Sequence, residues 1–261
     1  MKIRRLLALW SGRLIKTACQ LTGKQGVTLA GKVALSIYPP ILKELAGEVK
    51  KGIFVVCGTN GKTTTNNLLA SHLEAQGFRV VCNRTGSNML NGVASAFVLS
   101  AGLTGHLKAD YACIEIDEAS TVRVFPHFKP DYMVLTNLFR DQLDRYGEID
   151  ITMDLLSKAM KMAPDMKVLV NGDDSLSTYL ALENQNPHFT FGISRQVCHE
   201  EDAREIREGR FCKRCGAKME YHFYHYSQLG DYHCPSCGFA RPALDFDGEN
   251  VSLQQGLEFD V

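Results

Sequence analysis

The sequence has no surplus of charge of either sign: its 261 residues carry 29 basic and 29 acidic side chains. Without a basic surplus it lacks the electrostatic footprint that phosphate backbones select, so nucleic acid is not an expected partner. With 45% apolar residues, it is also not the depleted, highly charged composition of a disordered segment. No apolar run approaches the roughly 20 residues that cross a bilayer as a helix. A cleavable signal is not expected, because Arg13 and Lys16 interrupt the short apolar stretch after Lys2, Arg4 and Arg5, and no small-residue cleavage site follows. The nine cysteines therefore do not read as a secreted disulfide scaffold, and the cytoplasm is the expected compartment. The length suits one sizeable α/β domain and something smaller.

Residues 1–47 are expected to be a helical lead-in. Leu6, Leu7, Leu9, Trp10, Leu14 and Ile15 are set among arginines and lysines. Such an amphipathic helix can lie on an anionic membrane surface, at the inner face of the membrane, or pack its apolar side on the rest of the protein. Packing is the expectation. Tyr38-Pro39-Pro40 and the charged stretch Glu44 to Lys51 mark the approach to a main domain over residues 48–261.

What the chain does contain is Ile53-Phe54-Val55-Val56-Cys57 running into Gly58-Thr59-Asn60-Gly61-Lys62-Thr63-Thr64-Thr65. Five consecutive apolar residues suit a strand buried on both faces of a parallel sheet, and Leu68, Leu69 and Leu73 give Asn66 to Gln76 helical spacing. At a strand-to-helix junction the free N–H groups of the first helical turn converge and the helix dipole favours negative charge. Gly58 and Gly61 allow close backbone approach, Lys62 would reach the β- and γ-phosphates, and the Thr63 hydroxyl would ligate a bridging Mg²⁺. The pattern G-x-x-x-x-G-K-[ST] would need glycine at position 56, where this chain has Val56.

Further strands are expected at Phe78 to Cys82, Tyr111 to Glu118, Tyr132 to Asn137 and Val168 to Val170. Glu115 interrupts an apolar run, so it must be paired, placed at a strand's carboxyl end or bound to a cation. Asp117 and Glu118 are weaker candidates. Asn83 to Met89 reads as a polar loop and Asn171-Gly172-Asp173-Asp174 as a turn.

A second constellation is Cys212-x-x-Cys215, eighteen residues, then Cys234-x-x-Cys237, each pair followed by glycine (Gly216, Gly238). Two such knuckles make a four-thiolate site in which zinc is structural. The inserted ribbon is expected over residues 208–241. Its hairpin is rich in Tyr and His, but Lys213, Arg214 and Lys218 are too few for a nucleic-acid groove. His225 and His233 are expected to pack or hydrogen-bond. Cys19, Cys57, Cys82, Cys113 and Cys198 read as small core residues.

The shortened loop G-T-N-G-K-T-T-T resembles that of the Mur ligases, ATP-dependent amide-forming enzymes of peptidoglycan assembly. Thr136 to Gly147 resembles their signature T-N-x-x-x-D-H-L-D-x-x-G, with Gln142 in place of histidine, and Asn171 to Asp174 resembles their N-x-D-D turn. Asn83-x-x-Gly86-x-Asn88-Met89 and an inserted cysteine ribbon resemble one branch of that family. The resemblance implies an α/β fold with a phosphate loop on a mostly parallel sheet, carrying an inserted zinc ribbon. It implies ATP, Mg²⁺ and Zn²⁺, with Lys62 and Glu115 catalytic and Thr63 and Glu115 on Mg²⁺. Gly58, Thr59, Asn60, Gly61, Lys62, Thr63, Thr64 and Asn137 would contact nucleotide. Cys212, Cys215, Cys234 and Cys237 would hold zinc. No carbamylated lysine is assigned, since Lys158 is not at the family's usual offset.

In that branch the D-glutamate α-carboxylate of lipid II is phosphorylated, and ammonia from a GatD-type glutamine amidotransferase converts it to D-isoglutamine. The alternatives are another Mur-like ligase of the folylpolyglutamate type, or a non-catalytic ATP-binding zinc module. The family's C-terminal domain is missing after Leu257 to Val261, so the chain alone is not expected to amidate lipid II.

Overall fold

The computed structural model describes residues 2–23, 26–139, 148–195, 208–252 and 258–260. The chain forms two compact units: Met1–Cys57, Gly61–Val134 and Asp154–Met166 make the first, and Gly58–Asn60, Leu135–Met153 and Lys167–Val261 the second.

The first unit opens with three helices, α1 (Lys2–Leu21), α2 (Val27–Ile37) and α3 (Ile41–Ala46). It continues through β1 (Gly52–Cys57), α4 (Lys62–Ala75), β2 (Val80–Cys82), α5 (Leu90–Ser100), β3 (Tyr111–Glu115), the short α6 (Thr121–Val124) and β4 (Tyr132–Leu135). The strand order is β2-β3-β1-β4, and β3 pairs in parallel with both β1 and β2. Val55, Val56, Ala112, Cys113 and Ile114 have no exposed surface, as strands covered on both faces require.

Arg5 anchors α1, donating to Glu44, Glu48 and the Gly105 carbonyl. Ala8 and Leu9 are buried as the packing expectation requires, whereas Leu7, Trp10 and Leu14 are exposed. No described helix is long and apolar enough to cross a membrane.

After α7 (Glu148–Met162), the second unit contains β5 (Lys167–Asn171), α8 (Ser175–Glu183), β6 (His188–Gly192) and the hairpin β7 (Glu220–Tyr226) and β8 (Leu229–His233). Three short strands follow, β9 (Phe246–Asp247), β10 (Glu249–Ser252) and β11 (Glu258–Asp260). Here the order is β5-β6-β9, all parallel, while β7–β8 and β10–β11 are antiparallel ribbons. Asp174 caps α8 through Leu176 N and Ser177 N and also accepts from Leu138 N at 2.8 Å. Burial pushes its carboxyl above the usual range, against the pull of these hydrogen bonds.

Several boundaries differ from the sequence expectation: β4 stops at Leu135 and not Asn137, β5 runs Lys167–Asn171 and not Val168 to Val170, and three others have a clear local cause. Helix α4 starts at Lys62 instead of Asn66, because Gly61 at φ +80° sets up the first turn without any apolar spacing to announce it. Strand β3 ends at Glu115 and not Glu118, since Asp117 N donates to Asn88 O and a 3₁₀ turn follows at Glu118–Ser120. Strand β2 begins at Val80 because Phe78 N still closes the end of α4 on Leu73 O. Gln142 and the signature residues 140–147 lie outside the described residues, as do Cys198, Leu257 and Val261.

Candidate nucleotide and metal sites

In the first unit, Lys62 leaves the first turn of α4 half-buried, its Nζ 3.1 Å from Glu118 Oε1. No side-chain hydrogen bond caps this helix at Gly61. Thr63 Oγ1 donates to Glu115 Oε2 at 2.6 Å, and Asn88 Nδ2 donates to Glu115 Oε1 at 3.1 Å. Glu115 is 2% exposed at the carboxyl end of β3. Its backbone is clasped by Asn83, which donates to Glu115 O at 2.7 Å and accepts from Glu115 N at 2.8 Å. The loop at Gly86 (φ +70°) passes so near that a Cβ there would stand 3.3 Å from Thr63 Oγ1. A hydroxyl and a buried carboxylate thus share one point, a donor set of hard oxygens suited to Mg²⁺. Thr64 is exposed on α4.

The preceding half of the loop belongs to the second unit and is sewn to Thr136, Asn137 and Phe139. Thr59 N donates to Asn137 O, Asn60 N to Asn137 Oδ1 at 2.9 Å, and Thr136 Oγ1 to Asn60 O at 2.8 Å. Gly58 lies at φ +127°, and a Cβ there would fall 2.2 Å from Thr136 Oγ1, so only glycine fits this close passage.

The four ribbon cysteines converge. Their sulfurs all lie within 4.8 Å of one another, with Cys212 to Cys237 and Cys215 to Cys234 at 3.5 Å. A tetrahedral zinc with Zn–S bonds of about 2.3 Å sets sulfurs roughly 3.8 Å apart, so the donor set fits a metal of that size. Gly216 and Gly238 both take φ +74° in matching knuckles, with Gly216 N on Cys212 O and Gly238 N on Cys234 O. Burial raises the Cys234 thiol, yet the Cys237 and Ser236 N–H groups prevail and bring it down to about 7. At Cys237 the Phe239 N–H lowers the pKa, but desolvation and three neighbouring sulfurs override it and push it up to about 12. Without a cation, the cluster resists ionising all its thiols together. Cys212 and Cys234 join Met219, Tyr232 and Phe239 in a small core against Tyr179, Ala217 and Tyr221. His233 faces Glu220 and His225 contacts the Ile193 carbonyl, packing roles as expected.

The remaining described cysteines are poor nucleophiles where burial dominates: it lifts Cys57 far above the usual thiol range, Cys82 to about 11 and Cys113 to about 12. Lys158, left unassigned, is exposed on α7.

The sequence marks Glu118 only as a weaker candidate and Asn88 only as part of the Asn83 to Met89 loop, and it does not disclose Gln228. Glu118 lies three residues beyond the true end of β3, a position that becomes informative only once that end is known. Gln228, fully buried in the β7–β8 turn, donates to Leu138 O at 2.7 Å and Asp174 Oδ1 at 3.2 Å. A cavity of about 340 Å³ in the second unit went unforeseen as well. It is apolar except for Asn171, Asp173 and His225. Arg241 holds Asp173 at 2.6 Å.

Fold and site together define an α/β protein whose glycine-hinged, lysine-bearing loop leaves a parallel strand beside a buried acidic group. The model of the Mur ligase middle domain matches residues 56–234, and the chain belongs to that family. It is 36% identical over 99% of its length to the MurT subunit of lipid II isoglutaminyl synthase (glutamine-hydrolyzing) from Staphylococcus aureus strain COL, covering 57% of that protein. The MurT subunit of Streptococcus pneumoniae is also 36% identical, over 94% of this chain and 54% of the relative. The chain thus spans little more than half the length of these curated relatives. Its fold is similar to that of MurF ligase from Thermotoga maritima in complex with ADP, with TM-score 0.50 at 18% identity over 62% of this chain and 36% of that one.

Proposed function

We propose that this chain is the ATP-binding part of a ligase that amidates the α-carboxylate of the D-glutamate residue in lipid II. The geometric observation that carries the ATP-binding part is the Thr63–Glu115 contact of 2.6 Å beside Lys62. The likeness to MurT subunits over nearly the whole chain supports the choice of substrate.

A carboxylate is a poor acceptor for ammonia. Transfer of the γ-phosphoryl group from ATP to a carboxylate oxygen gives an acyl phosphate and ADP. Ammonia then attacks the acyl carbon, phosphate leaves with the C–O bonding pair, and the amide remains after loss of a proton. Here Lys62 and the first N–H groups of α4 hold phosphate charge, which is most of what phosphoryl transfer asks of a protein. Bound Mg²⁺ would neutralise charge between the phosphates, held by Thr63 and Glu115. Asn88 orients Glu115, and Asn137 fixes the backbone of Asn60. The four cysteines hold zinc as a structural ion. Ammonia comes from a glutamine amidotransferase partner of the GatD type. In this reading residues 1–47 lead into an ATP-binding domain over 48–261, with the ribbon of 208–241 inserted, at the cytoplasmic side of the membrane.

The test is the complete protein incubated with MgATP, glutamine, a glutamine amidotransferase and lipid II. ADP release that needs both glutamine and lipid II, with exchange of OH for NH₂ in the lipid product, is expected. ADP release driven instead by an added amino acid, without glutamine, would replace this reading with that of an amino-acid ligase.

A further inference from the structure

We infer that the exposed face of α1 docks on an anionic lipid surface. This does not rest on the amidation reading, and its readout is independent of any turnover.

A helix on a globular surface normally buries its apolar stripe and shows its polar side to water. Helix α1 does this only in part. Ala8 and Leu9 are buried, and Arg5 is tied down by Glu44 and Glu48. On the outward side Ile3 (74% exposed), Leu7 (48%), Trp10 (50%), Leu14 (71%) and Leu21 (85%) form a second apolar stripe. At 3.6 residues per turn these five positions fall within about 60° of one another. Trp10 Nε1 donates to Leu103 O, and the Leu103 side chain, 72% exposed, adds to the patch from the loop after α5. Contiguous exposed apolar surface of this kind marks an interaction site, unlike single exposed leucines.

Charge selects the occupant. The first 43 residues carry eight lysines and arginines and no aspartate or glutamate; the first acidic residue is Glu44. The rest of the chain is correspondingly acidic, since the whole is neutral. By the helical period Arg4 and Arg13 fall on opposite flanks of the stripe; Arg4 is exposed and Arg13 donates to the Leu99 carbonyl at 3.5 Å, so both place positive charge beside the surface that the leucines would enter. An apolar stripe flanked by cations, with no acid on the helix, complements an anionic headgroup layer.

Trp10 is the sole tryptophan, so its fluorescence reports directly on this face. With vesicles of phosphatidylglycerol and phosphatidylcholine, the emission should shift to the blue and the protein should co-sediment. Phosphatidylcholine alone should capture little, and raising the salt should release the protein. Replacing Leu7 and Leu14 together by glutamine should weaken binding about tenfold or more, since each apolar side chain contributes to partitioning. Arg4→Glu, at an exposed position, should weaken it too, whereas Leu68→Gln on the exposed face of α4 should not. Circular dichroism should be the same in all variants. The inference is overturned by absence of a blue shift, by equal capture on neutral vesicles, or by undiminished binding of the Leu7/Leu14 variant. It is equally overturned if the stripe proves to be a self-association surface, seen as lipid-independent dimers that the same variant abolishes.

Discussion

Replacing Lys62 by alanine should weaken binding of MgATP by about a hundredfold or more, as removal of a charge-assisted phosphate contact predicts. Any phosphoryl transfer should fall further, by about a thousandfold, because a charge clamp on the transferring group contributes most in the transition state. The ammonium is placed for this: its side chain is only 14% exposed, and Glu118 holds it at 3.1 Å. Arginine should not restore binding, since the half-buried space beside Glu118 receives a single ammonium, not a planar fork. Titration calorimetry with ATP and Mg²⁺ reads the effect. Unchanged affinity in Lys62→Ala would remove the phosphate loop from the account altogether.

Removing metal from the ribbon should have the largest effect on stability. Structural zinc sites contribute on the order of 10 kcal/mol to the folding of modules with little core of their own. The ribbon is such a module: its core is five buried residues, and two of them, Cys212 and Cys234, are cluster sulfurs. The protein as isolated should carry one zinc per chain. A strong chelator, or Cys234→Ser, should open residues 208–241 to hydrogen exchange and lower the melting temperature. Cys215→Ser should be milder in packing terms, since Cys215 is exposed, but should lose the metal all the same. Full protection of the ribbon amides in the metal-free protein would contradict the structural role.

The strand-to-helix junction around Gly58 to Lys62 and the convergence of the four cysteines were legible in the sequence because both are local. A buried strand, two glycines and a lysine announce one, and the spacing of four cysteines announces the other. What the sequence did not disclose depends on contacts across long separations. Glu118 meets Lys62 across 56 positions, and Asn88 meets Glu115 across 27. Neither pairing leaves a periodic trace. The start of α4 was misplaced because Thr63, Thr64 and Thr65 are weak helix formers, and the conformation of Gly61 decides the matter. The second apolar stripe of α1 was visible as residues but not as surface, because which stripe a helix buries is settled only by its neighbours.

Gln228 gives the ribbon a reach beyond its own stability. From the hairpin turn it grips Leu138 O, while Asp174 grips Leu138 N, and the adjoining Asn137 carries the backbone of Thr59 and Asn60. In the proposed reading, metal occupancy and nucleotide affinity would be two ends of one thermodynamic linkage. Whatever loosening the metal-free hairpin imposes on nucleotide binding, bound nucleotide must return as slower escape of the metal, by the same factor in the equilibrium constants. A chelator competition run with and without ATP would expose that reciprocity, and identical metal affinities would cut Gln228 out of the path.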